Sequence, residues 1–390
     1  MTTPRDLSRR QFLASGSAAA GALALSAAPA AGLAAAPFGR LKTKRVILVA
    51  FAGGVRSKEV LGTPENVPNL MRIASAGVTL PNAYATNSGH YGAALSIFTG
   101  NVENLGIRDN QRGMNPTLFE CLAKECSIDP SEIWLSTAGG AQARLFAHSD
   151  HPEYGAEYGA NVLDGDGIFN VEFKRVLDSF GRPRTDSPAE KKIIDALGDA
   201  LDPRQLQDLG ARRPDPERIR RVERFILDEL SGNTTRVTGP GASDAKAIRV
   251  AGNMLSVFKP KVLGISLQSH DIAHGSYNGY VEVIRRNDEE LGKLWDAVQA
   301  DDELRESTAI MVMPEFGRDA NLNQRNGLDH GDGSDDLRKV FIVAAGPDFK
   351  TDRVIRRDCR TIDAAPTLYS LFSRRPMPFA SSRVLKEIFA

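Results

Sequence analysis

The strongest constraint on this chain is a set of four unbroken apolar runs: Val46-Ile47-Leu48-Val49-Ala50-Phe51, Val262-Leu263-Gly264-Ile265-Ser266-Leu267, Ala309-Ile310-Met311-Val312-Met313 and Val340-Phe341-Ile342-Val343-Ala344-Ala345. None alternates apolar with charged residues, as a strand with one wet face would, so each reads as a strand buried on both faces. Such strands need helices above and below them. That places the chain in the α/β class, with a central, mostly parallel sheet flanked by helices. The first run breaks at Gly53-Gly54. That turn, the Asp271/His274 stretch and Glu315 all lie just past the C-terminal ends of such runs, the edge where open α/β sheets bind ligands.

The first thirty residues read as a targeting segment. Ser8-Arg9-Arg10-Gln11-Phe12-Leu13 precedes an uncharged Ala-rich stretch over residues 14–36, and Ala28-Pro29-Ala30 is a small-residue cleavage site. The pattern is that of a twin-arginine export signal over residues 1–30, leaving residues 31–390 as the mature domain. The stretch is rich in Ala, Gly and Ser and is interrupted by Pro29, which argues against a transmembrane anchor. The twin-arginine translocase is then a partner during export, and the destination is the periplasm or the outside.

The roughly 360 mature residues exceed the size at which one core stops growing, which predicts one large domain with an insertion. Residues 148–244 differ in texture. They carry Arg212-Arg213-Pro214-Asp215-Pro216 and a helical pattern of Ile219, Val222, Phe225, Ile226 and Leu230. This span reads as a helical insertion or cap over the active edge, or as a solvated linker with one packed helix. Without its signal the chain holds two more acidic than basic side chains. It has no basic excess to neutralise phosphates, so nucleic acid is not an expected partner. Three cysteines are too few for a disulfide framework, and Cys121 and Cys126, five apart in a helical pattern, do not favour a bridge.

The chemistry concentrates in Ser269-His270-Asp271-Ile272-Ala273-His274 and Gly327-Leu328-Asp329-His330-Gly331, which hold half of the six histidines. A short-spaced Asp and His followed some fifty residues later by another imidazole is the ligand grammar of a catalytic zinc-type site. The competing reading is polar loop residues satisfied by their neighbours. His270, beside Asp271, points the other way from an extended backbone. His90 and Ser88 in Thr86-Asn87-Ser88-Gly89-His90-Tyr91-Gly92 are candidate catalytic groups: an imidazole can attack phosphorus or act as a general base, and a hydroxyl beside a metal is activated. That glycine-flanked loop can equally be no more than a helix start capped by Ser88 or Asn87. Arg56 could meet an anionic ester or lie on the surface. His148 and His151 could line the cleft or a solvated loop. Trp134 and Trp295 read as core.

Several stretches, in this order and spacing, resemble the alkaline phosphatase and sulfatase superfamily. They are residues 46–54, Thr63-Pro64-Glu65-Asn66-Val67-Pro68-Asn69-Leu70, Ala76-Gly77-Val78, Ala94-Leu95-Ser96-Ile97-Phe98-Thr99-Gly100 and Leu105-Gly106-Ile107-Arg108-Asp109-Asn110. They continue with the Asp271 cluster, Pro314-Glu315-Phe316-Gly317-Arg318, residues 327–331 and Thr361-Ile362-Asp363-Ala364-Ala365-Pro366-Thr367-Leu368. The resemblance implies an alkaline-phosphatase-like fold and a site for two metal ions. Asp271, His274 and His330 match the first ion's ligands. At the second, the first-strand Asp position is Ala52 and the Asp-His pair reads Glu315-Phe316, so only Glu315 is left as a donor there. One divalent ion is therefore expected, zinc first, with manganese or calcium as alternatives. The nucleophile position falls on His90, or on Ser88 after a two-residue shift. The implied activity is hydrolysis of an anionic phosphate or sulfate ester, a small molecule or envelope-derived. The competing expectation is a scaffold that has lost catalysis and serves as an exported binding or envelope-associated protein.

Overall fold

The computed structural model describes residues 41–106, 111–138, 143–164 and 237–390. Nine strands form one sheet among these residues: β1 (Arg45–Phe51), β2 (Gly77–Tyr84), β3 (Ile133–Thr137), β4 (Asn161–Asp164), β5 (Val262–Leu267), β6 (Thr308–Pro314), β7 (Lys339–Ala345), β8 (Arg353–Val354) and β9 (Cys359–Arg360). Their order is β4-β3-β5-β1-β6-β7-β2-β8, with β9 also pairing with β2. From β4 to β6 every pairing is parallel, while β7 runs antiparallel to both β6 and β2. Burial on both faces makes a strand uniformly apolar whichever way it runs, so the sequence of β7 carries no sign of its reversed direction.

Side chains on β1 alternate between two cores, as the period of two requires. Val46, Leu48 and Ala50 pack with Leu95 and Phe98 of α3 (His90–Thr99) and with Phe119 and Leu122 of α4 (Leu118–Glu125). Ile47, Val49 and Phe51 pack against the other helical layer. It includes Leu70 and Ile73 of α2 (Pro68–Ser75), which follows the one-turn α1 (Ser57–Val60), Met254 and Leu255 of α5 (Ala242–Phe258), and Leu291 and Leu294 of α6 (Tyr277–Ala300). Each such side chain, fully buried, contributes about 1.5–3 kcal/mol relative to exposure. A charge at Val49, which is wholly buried, would break both the strand and this core.

Register sets the site. Phe51 stands opposite Leu267 of β5 and Pro314 of β6. The three central strands therefore end at one level, and the residues that leave them, Ala52, Gln268 and Glu315, emerge side by side. Two further main-chain bonds, Ala52 N to Leu267 O at 2.6 Å and Glu315 N to Phe51 O at 3.2 Å, carry the pairing past the strand ends.

Of the 148–244 span, residues 148–164 and 237–244 are described. They contain β4, a strand of the central sheet, and the start of α5. The patterned residues Ile219 to Leu230 and the segment 1–30 lie outside the described residues. Cys121, Cys126 and Cys359 are free thiols, and Trp134 and Trp295 are buried. No helix among the described residues is long and apolar enough to cross a membrane.

Candidate metal centre

Two close backbone approaches build the floor of the site. After β5 the chain enters a 3-10 turn, Ser269–His274. Side chains three residues apart nearly eclipse in such a turn, so Asp271 and His274 project together. A Cβ at Gly53 would sit 2.7 Å from Asp271 N and from Gln268 O, so only glycine lets the β1 turn pass beneath the ligand turn. On the other side a Cβ at Gly327 would lie 2.3 Å from Ala273 O, and Leu328 N bonds the same carbonyl at 2.6 Å. That contact ties the His330 loop to the His274 turn.

One donor atom from each of His90, Asp271, His274 and His330 lies within 4.8 Å of the other three. Asp271 Oδ1 is 2.9 Å from His90 Nε2 and 3.3 Å from His274 Nε2. Each imidazole is held by its far nitrogen. His90 Nδ1 meets Glu315 Oε1 at 2.5 Å, His274 Nδ1 meets Asp329 Oδ1 at 2.6 Å, and His330 Nδ1 meets the Ser88 carbonyl at 2.9 Å. These oxygen partners hold a proton on Nδ1, so that in the neutral ring Nε2 is the nitrogen left free to bind, the arrangement that orients metal-binding imidazoles. His90 Nε2 is close to Asp271 but not aligned for a hydrogen bond, and it is buried without a hydrogen-bond partner among the described residues. A buried imidazole nitrogen with no hydrogen bond, amid three other N and O donors, fits a divalent cation; three imidazoles with one carboxylate suit zinc, manganese or iron.

The electrostatics follow from burial and these pairs. Burial alone would lower the pKa of His90, but the carboxylates of Glu315 and Asp271 outweigh it and raise it to about 9. Burial pushes the wholly buried Glu315 up to about 7, with His90 and Arg318 pulling back. Burial also opposes ionisation of Asp271, yet His90 and Arg318 hold its carboxyl below the usual range. His330 is lowered to about 4, by burial and then by the positive charge of His90 and Arg318, and so stays neutral.

The arrangement differs from the sequence reading in several places. Asp271, His274 and His330 do converge, and His90, expected only across the cleft, has its Nε2 among their donors. Glu315, read as a donor, is not part of the four-residue cluster and instead backs His90. Ser88 contributes its main-chain oxygen to His330, and Gly89, without a side chain, stands at the N-cap of α3. Arg56 is neither at the surface nor free for substrate: it is buried, forked onto Glu59, and bonds the carbonyls of Asp319 and Ala320 at 2.8 and 3.0 Å. His148 bonds the Ser149 carbonyl at 3.0 Å, and the His151 ring packs on Phe379 and Tyr154. His270 points away from Asp271 into the core.

Arg318 is the residue that pattern reading passed over. Fully buried, it donates Nη2 to Asp271 Oδ1 at 2.7 Å and to the Gly53 carbonyl, and Nη1 to the Leu328 carbonyl at 3.2 Å. One fork thus fixes the β1 turn, the Asp271 turn and the His330 loop. The signal was the Arg closing Pro314-Glu315-Phe316-Gly317-Arg318, just beyond a strand end.

No protein-family model matches the chain, and no curated protein matches its sequence. Solved structures do. Wild-type alkaline phosphatase PafA superposes with a TM-score of 0.57 at 10% identity, covering 90% of this chain and 100% of that one. A putative sulfatase from Bacteroides thetaiotaomicron gives 0.55 at 12% identity, covering 88% and 74%. The chain shares its α/β fold with these alkaline phosphatase and sulfatase structures. The lipoteichoic acid synthase LtaP from Listeria monocytogenes superposes at 0.50 and 12% identity, covering 90% and 76%. The sequence reading set Ala52 and Phe316 against the ligands of a second ion. Both are buried, and the Phe316 ring packs 4.9 Å from the His90 ring and 5.2 Å from that of His330.

Proposed function

We propose that the chain is an exported, metal-dependent hydrolase of phosphate or sulfate esters. One divalent ion, zinc before manganese, would be held by Asp271, His274 and His330 with His90 as the added donor. The observation that carries this reading is the shared pose of the three imidazoles, each with Nδ1 on an oxygen and the ring contributing to one donor cluster with Asp271. The ion, when bound, supplies Lewis-acid polarisation of the ester. Glu315 holds the proton on His90 Nδ1, and Arg318 keeps the Asp271 carboxylate ionised and in place. Helix α3 begins at His90, which puts the positive end of its dipole at the site and favours an anionic ester there. With His90 engaged as a donor and the Ser88 backbone supporting His330, the attacking group in this reading is water rather than a side-chain hydroxyl.

The second reading is a scaffold without turnover, serving as an exported binding or envelope-associated protein. The apolar Ala52 and Phe316 and the imidazole at the nucleophile position favour it. A panel of chromogenic phosphate monoesters, phosphate diesters and sulfate esters separates the two. The hydrolase reading expects turnover by the metal-loaded wild type that His274→Ala removes. A loaded wild type inert toward the whole panel would leave the scaffold reading in place. Export through the twin-arginine route rests on Arg9-Arg10 and the small-residue cleavage site.

A further inference from the structure

The turn that carries Asp271 and His274 is anchored from below by a group that touches neither of them. Asp244, in the first turn of α5 and wholly buried, accepts the main-chain N–H groups of Gln268 at 2.9 Å and Ser269 at 3.0 Å through Oδ1. Its Oδ2 accepts from Asn287 Nδ2 of α6 at 2.7 Å, and the same amide nitrogen lies 3.2 Å from Nε2 of His270. His270 is itself buried, its ring 5.0 Å from that of Phe51 and its Nδ1 3.8 Å from Asp244 Oδ2, beyond hydrogen-bond length.

Three features point to the metal site rather than to stability alone. The partners of the Asp244 carboxyl are neutral groups, and a fully buried carboxyl so paired costs stability that an apolar side chain would not. Its two main-chain contacts are the residues that open the ligand turn, Gln268 and Ser269. Asn287 then links that carboxyl to His270, the residue between Ser269 and Asp271. Helices α5 and α6 are thereby coupled to the spacing of two metal donors.

We infer that Asp244, with Asn287 and His270 behind it, is the positioning group of the metal centre: it sets the main chain of Gln268 and Ser269 so that Asp271 and His274 meet His90 and His330. The inference rests on the metal reading proposed above. Partners behind a ligand shell that orient ligands typically cost about 10–100-fold in metal affinity when removed.

The test uses cobalt(II) on the purified mature protein, with affinity from chelator competition and ligand geometry from the visible absorption bands. Asp244→Ala should bind cobalt about 10–100-fold more weakly and with altered bands. Asp244→Asn, which keeps an oxygen for the two amide protons, should recover most of the affinity. Thermal unfolding of the metal-free variants confirms that binding is measured on folded protein. If Asp244→Ala does not fold, Asn287→Ala takes its place with the same expected direction. A folded variant with wild-type cobalt affinity and spectrum overturns this inference alone. A wild type that takes up no cobalt overturns the metal reading and this inference with it.

Discussion

His90 and Glu315 form the pivot of the site: Nδ1 of the first residue of α3 lies 2.5 Å from Oε1 of a wholly buried carboxyl at the end of β6. The pair joins two elements 225 residues apart and fixes which imidazole nitrogen enters the donor cluster. Removing the charge but keeping the shape isolates its effect. In the metal-free protein, Glu315→Gln should move the His90 titration from about 9 back toward the ordinary histidine range, followed by NMR of the ring protons. An unmoved titration would show that the carboxylate does not govern His90.

Proton competition follows from the same pair. A cation needs neutral His90, whose pKa near 9 means that metal uptake at neutral pH must displace a proton. Affinity should therefore rise with pH until about 9 and then level, with proton release visible by calorimetry in buffers of different ionisation enthalpy. Stability of the metal-free form should run the other way. The raised His90 pKa stabilises the fold below about pH 6.5 and that contribution is lost as pH rises through 9, while Glu315, raised to about 7, loses its contribution between its ordinary range and 7. Denaturant midpoints should fall from pH 5 to pH 9 without metal and fall less with it.

Arg318 supports three loops at once, so its loss should be felt in stability as well as in metal binding. Arg318→Ala leaves the Gly53 and Leu328 carbonyls without this donor, each costing about 1–3 kcal/mol. Arg318→Lys keeps the charge but not the fork, and should recover only part of the loss. Urea unfolding of both variants decides this, and a neutral Arg318→Ala would contradict the role.

The central strands were legible because burial on both faces leaves an unbroken apolar run, and their shared end told where the chemistry sits. Strand β4 was not: four residues at a sheet edge, with Asn161 leading, carry little pattern, and they fell within the span read as an insertion. Asp271, His274 and His330 announced themselves by spacing. The place of His90 Nε2 among them depends on how the loop after β2 turns into α3, which no periodicity encodes. Glu315 was visible as a polar residue at a strand end, but whether it faces a cation or an imidazole is set by the register of β6 beside β1. Arg318 bonds groups 47 and 265 residues away, so its role exists only once the sheet has assembled.

The twin-arginine reading has its own direct check. Replacing Arg9 and Arg10 with lysine should leave the protein in the cytoplasm, because the twin-arginine pair is the feature that reads as the address. Fractionation and immunoblotting of the two forms would show it, and an unchanged exported yield would count against the route.

The most direct test of the single-ion centre is elemental analysis of the purified protein after zinc loading and desalting, with His90→Ala and His330→Ala treated in parallel. A centre built from His90, Asp271, His274 and His330 should hold about one ion per wild-type chain and much less in either variant. A wild type that retains no ion, or variants that retain it in full, would contradict that assignment.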